Sequence, residues 1–582
     1  MSNTPAPVDE SVERDRQMLI DAEQKGFLGK LGTYTRLSGP GWLQSAITLG
    51  GGSLSGALFL GVLGGTSMLW LQLVAIIMGV VMLSAISYVT LSTEQRPFQL
   101  INQHVNPVLG WGWLIATCLA NILWCMPQFS LCYEALEQNL ASGLVGSSQN
   151  AKLAVSAIIL TITSIVLSFN LKGGATAKVF DLFLKALIGA IVLCFFGVVI
   201  YLSRQGLLDW SAIFAGFIPD FSQWREATGD LRPLLADLPA EAKEFWGTRL
   251  AREQRAVMIG AAATAVGINM TFLLPYSMLQ RGWGKSFRGL ARFDLSTGMA
   301  IPYVLVTACV VIASAHAFHG QADEELLSSD PQVVQTSELF AQAQTNLIAR
   351  VRPELAGKKL DELDEPDQQE VLKEIATLPE AEKRIAASFD KRNAFKLSKA
   401  LAPLLGEKNA NLVFGLGIFG MGFSTIIILM MINGFVFCEA FNKPRNGSVM
   451  VIGCLVAGVA GAAWPYVWEG PSKLWLAILV SSFGMMLLPI AYVTFFMLMN
   501  SKDVLGDDRP RGFWRWVWNL MMGASVIGAL VAAATAIYDK ITDHSSPKTE
   551  LAGKLVLALL IGYLVAAAIG FWAKSKRTAA EH

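Results

Sequence analysis

Two stretches of this sequence place groups able to hold a small ion or solute inside long apolar runs. The first is Gly50-Gly51-Gly52-Ser53-Leu54-Ser55-Gly56, in the middle of GPGWLQSAITLGGGSLSGALFLGVLGG. Each interior Gly costs a helix about 1 kcal/mol relative to Ala, so three together favour an interruption. An interruption frees backbone N–H and C=O groups, and only protein, water or a ligand can satisfy them inside a bilayer. The second stretch is AVMIGAAATAVGINMTFLLPYSMLQRGWG, where Gly267, Asn269, Met270 and Thr271 sit at mid-run. Pro275 then removes a backbone donor. The chemistry on offer is binding: freed carbonyls, hydroxyls, an amide and a thioether. No nucleophile–base pair or metal-ligand constellation points to an enzyme, and no cofactor motif is present. The competing structural explanation is tight helix packing at the glycines and a plain kink at Pro275.

The elements that must position these groups are membrane spans. The chain has 582 residues, is 53% hydrophobic and 16% charged, and carries a net charge of +1. The charge is uneven: residues 1–38, 204–256 and 321–400 hold 53 of the 91 charged side chains. Such a composition excludes a soluble enzyme, a nucleic-acid binder and a disulfide scaffold. The seven cysteines all lie in apolar segments and read as small buried hydrophobes. The start of the chain has no basic region followed by an apolar core, so the first apolar run is expected to be a span, not a signal peptide.

At about 20 apolar residues per crossing, spans are expected near 41–63, 69–91, 111–136, 152–171, 179–203, 257–280, 298–318, 411–438, 449–468, 475–499, 514–537 and 551–573. With the N-terminus inside, the short inner loops carry 13 Lys/Arg and the short outer loops three, which places both termini in the cytoplasm. The division is then a tail (1–38), spans one to five (39–203), an outer insert (204–256) and spans six and seven (257–320). A charged outer insert (321–400), spans eight to ten (401–500), a cytoplasmic loop (501–513), two peripheral spans (514–573) and a tail (574–582) complete it. The second insert, with 16 acidic and 11 basic residues, reads as two or three amphipathic helices lying as a lid. Trp70, Trp111, Trp113, Trp468, Trp514 and Trp572 read as interfacial anchors. Interruptions five spans apart fit two inverted five-helix halves of a secondary transporter, with substrate held between the breaks.

GPGWLQSAITLGGGSLSGALFLGVLGGTSMLW, the PDFSQW loop, ARFDLSTGMAIPYVLVTACVVIASAHAF, ALAPLLGEKNANLVFGLGIFGMGFSTIIILMM and LVSSFGMMLLPIAYVTFFMLMNSKDVLGD together resemble the NRAMP family of divalent-metal transporters. The resemblance implies an all-α, polytopic membrane protein with a five-plus-five inverted-repeat core and transport by alternating access. It also implies where the substrate should bind: Gly50, Gly51, Gly52, Ser53, Ser55, Gly267, Asn269, Met270 and Thr271. Gln128, Glu134, Ser424 and Thr425 are expected along the coupling route or pathway.

The departures fall on the metal ligands. The family's first-span Asp and Asn correspond to Gly50 and Ser53, and its sixth-span Met-Pro-His to Met270-Thr271-Phe272. Its third-span acid is replaced near Gln128, with Glu134 six residues on. His104, His316, His319, His544 and His582 all lie in loops or near span ends. A divalent ion in a low-dielectric site wants anionic ligands or several strong oxygen donors, and Met270 is the one family ligand retained. The alternatives are a transporter of a small neutral or zwitterionic organic solute, with or without sodium coupling, and a non-transporting membrane sensor. Beyond the lipid bilayer and a small ion or solute, no partner is indicated, and the oligomeric state is open. Asp181 and Lys185, spaced i,i+4, read as a structural ion pair. Asp294 reads as an N-terminal cap of the seventh span. Gln44, Thr48, Asn121, Asn433 and Tyr276 are further polar candidates for the cavity wall.

Overall fold

The computed structural model describes residues 10–172, 174–390, 394–445, 447–467, 471–542 and 547–581, and every regular element among them is a helix. The glycine run divides the first span into α1 (Pro40–Thr48) and α2 (Gly51–Gly64), bent by 54°. There follow α3 (Trp70–Thr93), α4 (Pro107–Ala135), α5 (Gln149–Lys172) and α6 (Gly174–Arg204). The sixth span is likewise two pieces, α7 (Ala240–Thr264) and α8 (Ile268–Gln280). Next come α9 (Ile301–Phe318), entered through Arg288–Asp294 and a π turn at Leu295–Ala300, then α10 (Glu407–Ala440), α11 (Ser448–Ala462) and α12 (Pro471–Asn500). The helices α13 (Gly512–Ile541) and α14 (Pro547–Glu581) lie outside the ten-span core.

Each of the twelve apolar runs is helical among the described residues, and 41–63, 257–280 and 449–467 are each divided between two helices. Among the described residues eight helices are long and apolar enough to cross a membrane, and the bent α1/α2 pair makes nine. Ser448–Ala462 and Met486–Asn500 are shorter apolar helices. Pro275 lies within α8, and the interruption falls before it, at residues 265–267. Pro275 loses the bond to the carbonyl four residues back and crowds that carbonyl, yet α8 runs through it, so the break falls at Gly267 and not at the proline.

The polar inserts are more regular than the sequence suggested. Residue 256 is no structural boundary: α7 begins at Ala240 inside the first insert and runs on into the sixth span. Ala242, Trp246, Leu250 and Gln254, spaced by four, form its fully buried stripe. Among its described residues the second insert forms six α-helices and two short 3-10 turns, the longest helices being Glu338–Val351, Glu365–Ala376 and Ala394–Leu405. Asp323, Asp330 and Ser337 each cap one of its helices, and this multiplies the short elements beyond the two or three expected. The insert rests on α7 through Glu382, which accepts from Trp246 Nε1 at 2.8 Å and Arg350 Nε at 2.7 Å. His319, just past α9, ties the far end of α2 to the first insert. Its Nε2 accepts from the Asp230 N–H at 2.9 Å and its Nδ1 meets the Val62 carbonyl at 2.9 Å. Burial pushes this imidazole below its usual range, in keeping with the neutral ring these bonds need.

Two sequence expectations are corrected. Trp70 and Trp113 are 3% and 0% exposed, so they are core residues with bonded indoles and not interfacial anchors. Trp111, Trp514 and Trp572 are exposed, while Trp468 lies outside the described residues, as do His544 and His582. All seven cysteines are free; five are buried and Cys118 and Cys194 partly so.

Candidate functional site

The two breaks lie side by side, and the polar side chains around them serve mainly to satisfy what the breaks release. At the first, α1 ends at Thr48 and α2 starts at Gly51, with Gly50 extended between them. The Ala46 carbonyl, near the end of α1, accepts from Ser424 Oγ at 3.0 Å and Thr425 Oγ1 at 3.1 Å, both on α10. The Gly51 N–H, at the start of α2, donates to Gln128 Oε1 on α4 at 3.1 Å. These are the orphan groups that helix ends leave behind, here partnered by other spans. A Cβ on Gly50 would stand 2.8 Å from Thr425 Oγ1, and one on Gly51 would stand 3.1 Å from Leu131. The close approach of α4 and α10 therefore depends on glycine at both positions.

At the second break Gly267 is extended, and a Cβ there would stand 3.1 Å from the Trp124 ring. Asn269 Oδ1 accepts from the Met270 N–H at 2.9 Å. Met270 Sδ accepts from the Gly267 N–H and from Thr48 Oγ1, both at 3.4 Å. The Met270 carbonyl accepts from Gln44 Nε2 on α1 at 3.2 Å, which couples one break to the other. Thr271 Oγ1 donates to the Ile268 carbonyl at 2.5 Å and accepts from Trp113 Nε1 at 2.9 Å.

The structure thus brings Gly50, Gly51, Gln128, Gly267, Asn269, Met270, Thr271, Ser424 and Thr425 into one junction. Ser53 is buried one turn further along α2, and Gly52 and Ser55 are exposed on that helix's open face. Glu134 lies at the last turn of α4, bonded by Ser130 Oγ at 2.8 Å, two turns beyond Gln128. Gln44 and Thr48 join the junction. Tyr276 and Asn433 do not: the Tyr276 hydroxyl meets the Phe98 N–H, and Asn433 bonds the Gly453 carbonyl in the α10–α11 seam. Trp113 and Trp124 were missed as site residues: Trp113, near a span end, looks like an anchor, and Trp124, at mid-span, carries no sequence mark separating a cavity wall from any other apolar surface.

The junction is neutral. The sequence has no Asp or Glu between residues 24 and 93 or between 254 and 293. Among the described residues no group of three His, Cys, Asp or Glu could hold a metal ion. What remains unpartnered is an alcohol and amides: Ser45 Oγ, Gln44 Oε1, Asn269 Nδ2 and, on α4, both side-chain atoms of Asn121 are buried without a hydrogen bond. Burying such groups unpaired costs about 1–3 kcal/mol each, and a bound polar species would recover part of it.

The charged groups lie one level away, at the start of α1. Asp294 does not cap its own span; its Oδ2 accepts from the Gly39 and Gly41 N–H groups at 3.1 and 2.7 Å. Asp181 and Lys185 do not pair with each other as expected. Asp181 takes Arg281 in a two-oxygen bond at 2.7 and 2.8 Å, and Lys185 Nζ donates to the Ser38 carbonyl at 2.8 Å. Partners offered by other spans outcompete the local i,i+4 pair.

The family whose model matches this chain is described as natural resistance-associated macrophage protein-like, over residues 41–339 and 382–537. No curated protein matches the sequence. Among solved structures, a substituted form of the Eremococcus coleocola manganese transporter is similar at 14% identity with a TM-score of 0.60, covering 93% of this chain and 95% of that one. The same transporter in complex with an aromatic bis-isothiourea substituted compound is similar at 15% identity with a TM-score of 0.59, covering 98% and 97%. These likenesses establish the fold.

Proposed function

Because the chain belongs to the natural resistance-associated macrophage protein-like family, we propose that it is a metal-ion transporter whose ion sits at the α1/α2–α7/α8 junction. The ion is held there by neutral donors. The observation that carries this reading is the junction itself: two facing helix interruptions, with carbonyls, hydroxyls, amides and the Met270 thioether converging and no carboxylate among them. Gly50, Gly51, Gly52, Ser53, Ser55, Gly267, Asn269, Met270 and Thr271 form the binding region, and Gln128, Glu134, Ser424 and Thr425 line its approach. A site without an anionic ligand compensates a divalent charge poorly. Affinity for manganese is therefore low, and no carboxylate in the junction takes up a proton to drive the cycle. The positive-inside bias favours cytoplasmic termini in a plasma membrane. A second reading, transport of a small neutral or zwitterionic solute, is favoured by the unpartnered amide atoms of Gln44, Asn121 and Asn269.

Uptake into proteoliposomes tests both, using manganese, magnesium and a panel of organic solutes with and without proton and sodium gradients. The expected result is weak, saturable metal uptake indifferent to a proton gradient. Proton-driven manganese uptake of high affinity would overturn the neutral-site reading. Uptake confined to organic solutes would replace the metal with the second reading.

A further inference from the structure

The junction is reached unequally from its two sides. Along α1 every residue from Pro40 to Thr48 is buried except Trp42, which is half-buried. Along α2, Gly52 and Ser55 are exposed, and a Cβ added to Gly52 would meet nothing within 4 Å. The side bearing the N-terminal segment is therefore shut, and exposed positions begin only on α2. What shuts it is a compact ionic cluster in the charge-poor part of the chain.

We propose that Asp294 is a positioning residue for transport, the latch that holds α1 shut against the seventh span and is released when the site opens toward the N-terminal side. Asp294 is 1% exposed. Its Oδ2 takes the Gly39 and Gly41 N–H groups, while Pro40 between them has none to offer. A carboxylate at this helix end meets both the orphan donors and the positive end of the helix dipole. The fit is close: a Cβ on Gly41 would overlap the Asp294 carbonyl, and one on Gly39 would stand 2.6 Å from the Arg281 guanidinium. Lys185 from α6 holds the preceding carbonyl, Ser38, at 2.8 Å, and its ammonium lies 5.9 Å from the Trp42 ring centroid. Arg281, at the end of α8, is held in turn by Asp181 of α6. The start of the first span is thereby bonded to span seven by Asp294 and to span five by Lys185, with the Arg281–Asp181 pair packed against Gly39.

The latch is built to let go. Asp294 Oδ1 is buried with no hydrogen-bond partner, so the shut state leaves a charged group incompletely satisfied. Swinging α1 away breaks the charged contacts at residues 38–41 together with the neutral bonds of Gln44 and Ala46 to α8 and α10. Such a discrete set of contacts suits a two-state element.

The test reads accessibility, so its outcome does not depend on the substrate reading above. Ser45→Cys reports the buried face of α1 and Ser55→Cys the open face of α2, in full-length protein whose partly exposed Cys118 and Cys194 are replaced by Ala. An impermeant maleimide is applied to vesicles with the N-terminal tail either exposed or enclosed. Asp294→Ala should raise Ser45→Cys labelling from the N-terminal side about tenfold and lower Ser55→Cys labelling from the other side. Asp294→Asn, which keeps one acceptor oxygen, should give an intermediate rise. Lys185→Met, which cuts the neighbouring bond, should shift both reporters the same way and decides the matter if Asp294→Ala does not fold. Unchanged labelling, or a rise at both reporters together, would overturn the latch; the latter would mark Asp294 as merely structural.

Discussion

The two helix breaks solve one problem in opposite ways. At the first, the released groups are satisfied from elsewhere: α10 supplies Ser424 and Thr425 to the Ala46 carbonyl, and α4 supplies Gln128 to the Gly51 N–H. At the second, the chain largely serves its own backbone, with Asn269 and Met270 bonding N–H groups of their own turn, while Gln44 and Thr48 reach across from α1 and Trp113 from α4. The first break is therefore a meeting point of three spans, whereas the second caps its N–H groups locally. In an alternating-access cycle, motion of α4 or α10 should be felt at the first break and motion of α7 largely absorbed at the second.

The largest effect should come from filling the meeting point. Gly51→Leu places a branched side chain where a Cβ alone already stands 3.1 Å from Leu131 and 3.3 Å from Gln128 Oε1. Transport should be abolished while the purified protein still elutes as a single symmetrical species on gel filtration. Normal uptake would show that α2 does not need to approach α4 there.

A smaller effect should follow from removing one partner. Gln128→Leu strands the Gly51 N–H at a cost of about 1–3 kcal/mol, read as a lower midpoint of thermal unfolding with reduced uptake. Gln128→Glu keeps an acceptor and should retain most of the stability. If Gln128→Leu matched the native protein in both measurements, the dependence of the first break on α4 would be gone.

These contrasts explain how much was readable beforehand. Gly50-Gly51-Gly52 announces a break because backbone preference is local and lipid forbids unpaired groups, and the twelve spans follow from run length alone. Gln128, Ser424 and Thr425 were visible as polar residues in apolar runs, but nothing in their spacing showed that they answer the Ala46 carbonyl and the Gly51 N–H. Those pairings join residues 77 to 379 positions apart. Asp294 misled for the same reason: a carboxylate near a helix start reads as that helix's own cap, and here it caps a helix 253 residues earlier. Trp113 misled because an indole at a span end looks alike whether it faces lipid or Thr271. The inserts were legible as helical from their charge pattern, yet the continuity of α7 across residue 256 was hidden by the change from polar to apolar sequence.

The second break offers a gentler perturbation. Asn269→Ala removes the Oδ1 bond to the Met270 N–H, which keeps its bond to the Gly267 carbonyl, so the loss should be about 0.5–1 kcal/mol. Asn269 Nδ2 has no partner to lose, so the damage should stay within α8. A thermal shift larger than that of Gln128→Leu would reverse the proposed contrast between the breaks.

The smallest single effects should appear where the first break is doubly insured. The Ser424 and Thr425 hydroxyls both reach the Ala46 carbonyl and each can turn instead to the Met421 carbonyl of its own helix, so either one alone can keep the Ala46 oxygen bonded. Ser424→Ala or Thr425→Val should each cost less than about 0.5 kcal/mol, whereas the double variant leaves the carbonyl bare and should cost about 1–3 kcal/mol. Neighbouring groups that share one partner are the case where additivity fails, so a double-mutant cycle on unfolding midpoints reads the redundancy directly. Strictly additive losses would mean that the two hydroxyls serve different acceptors. The carbonyl would then not be the point at which α10 holds the first break.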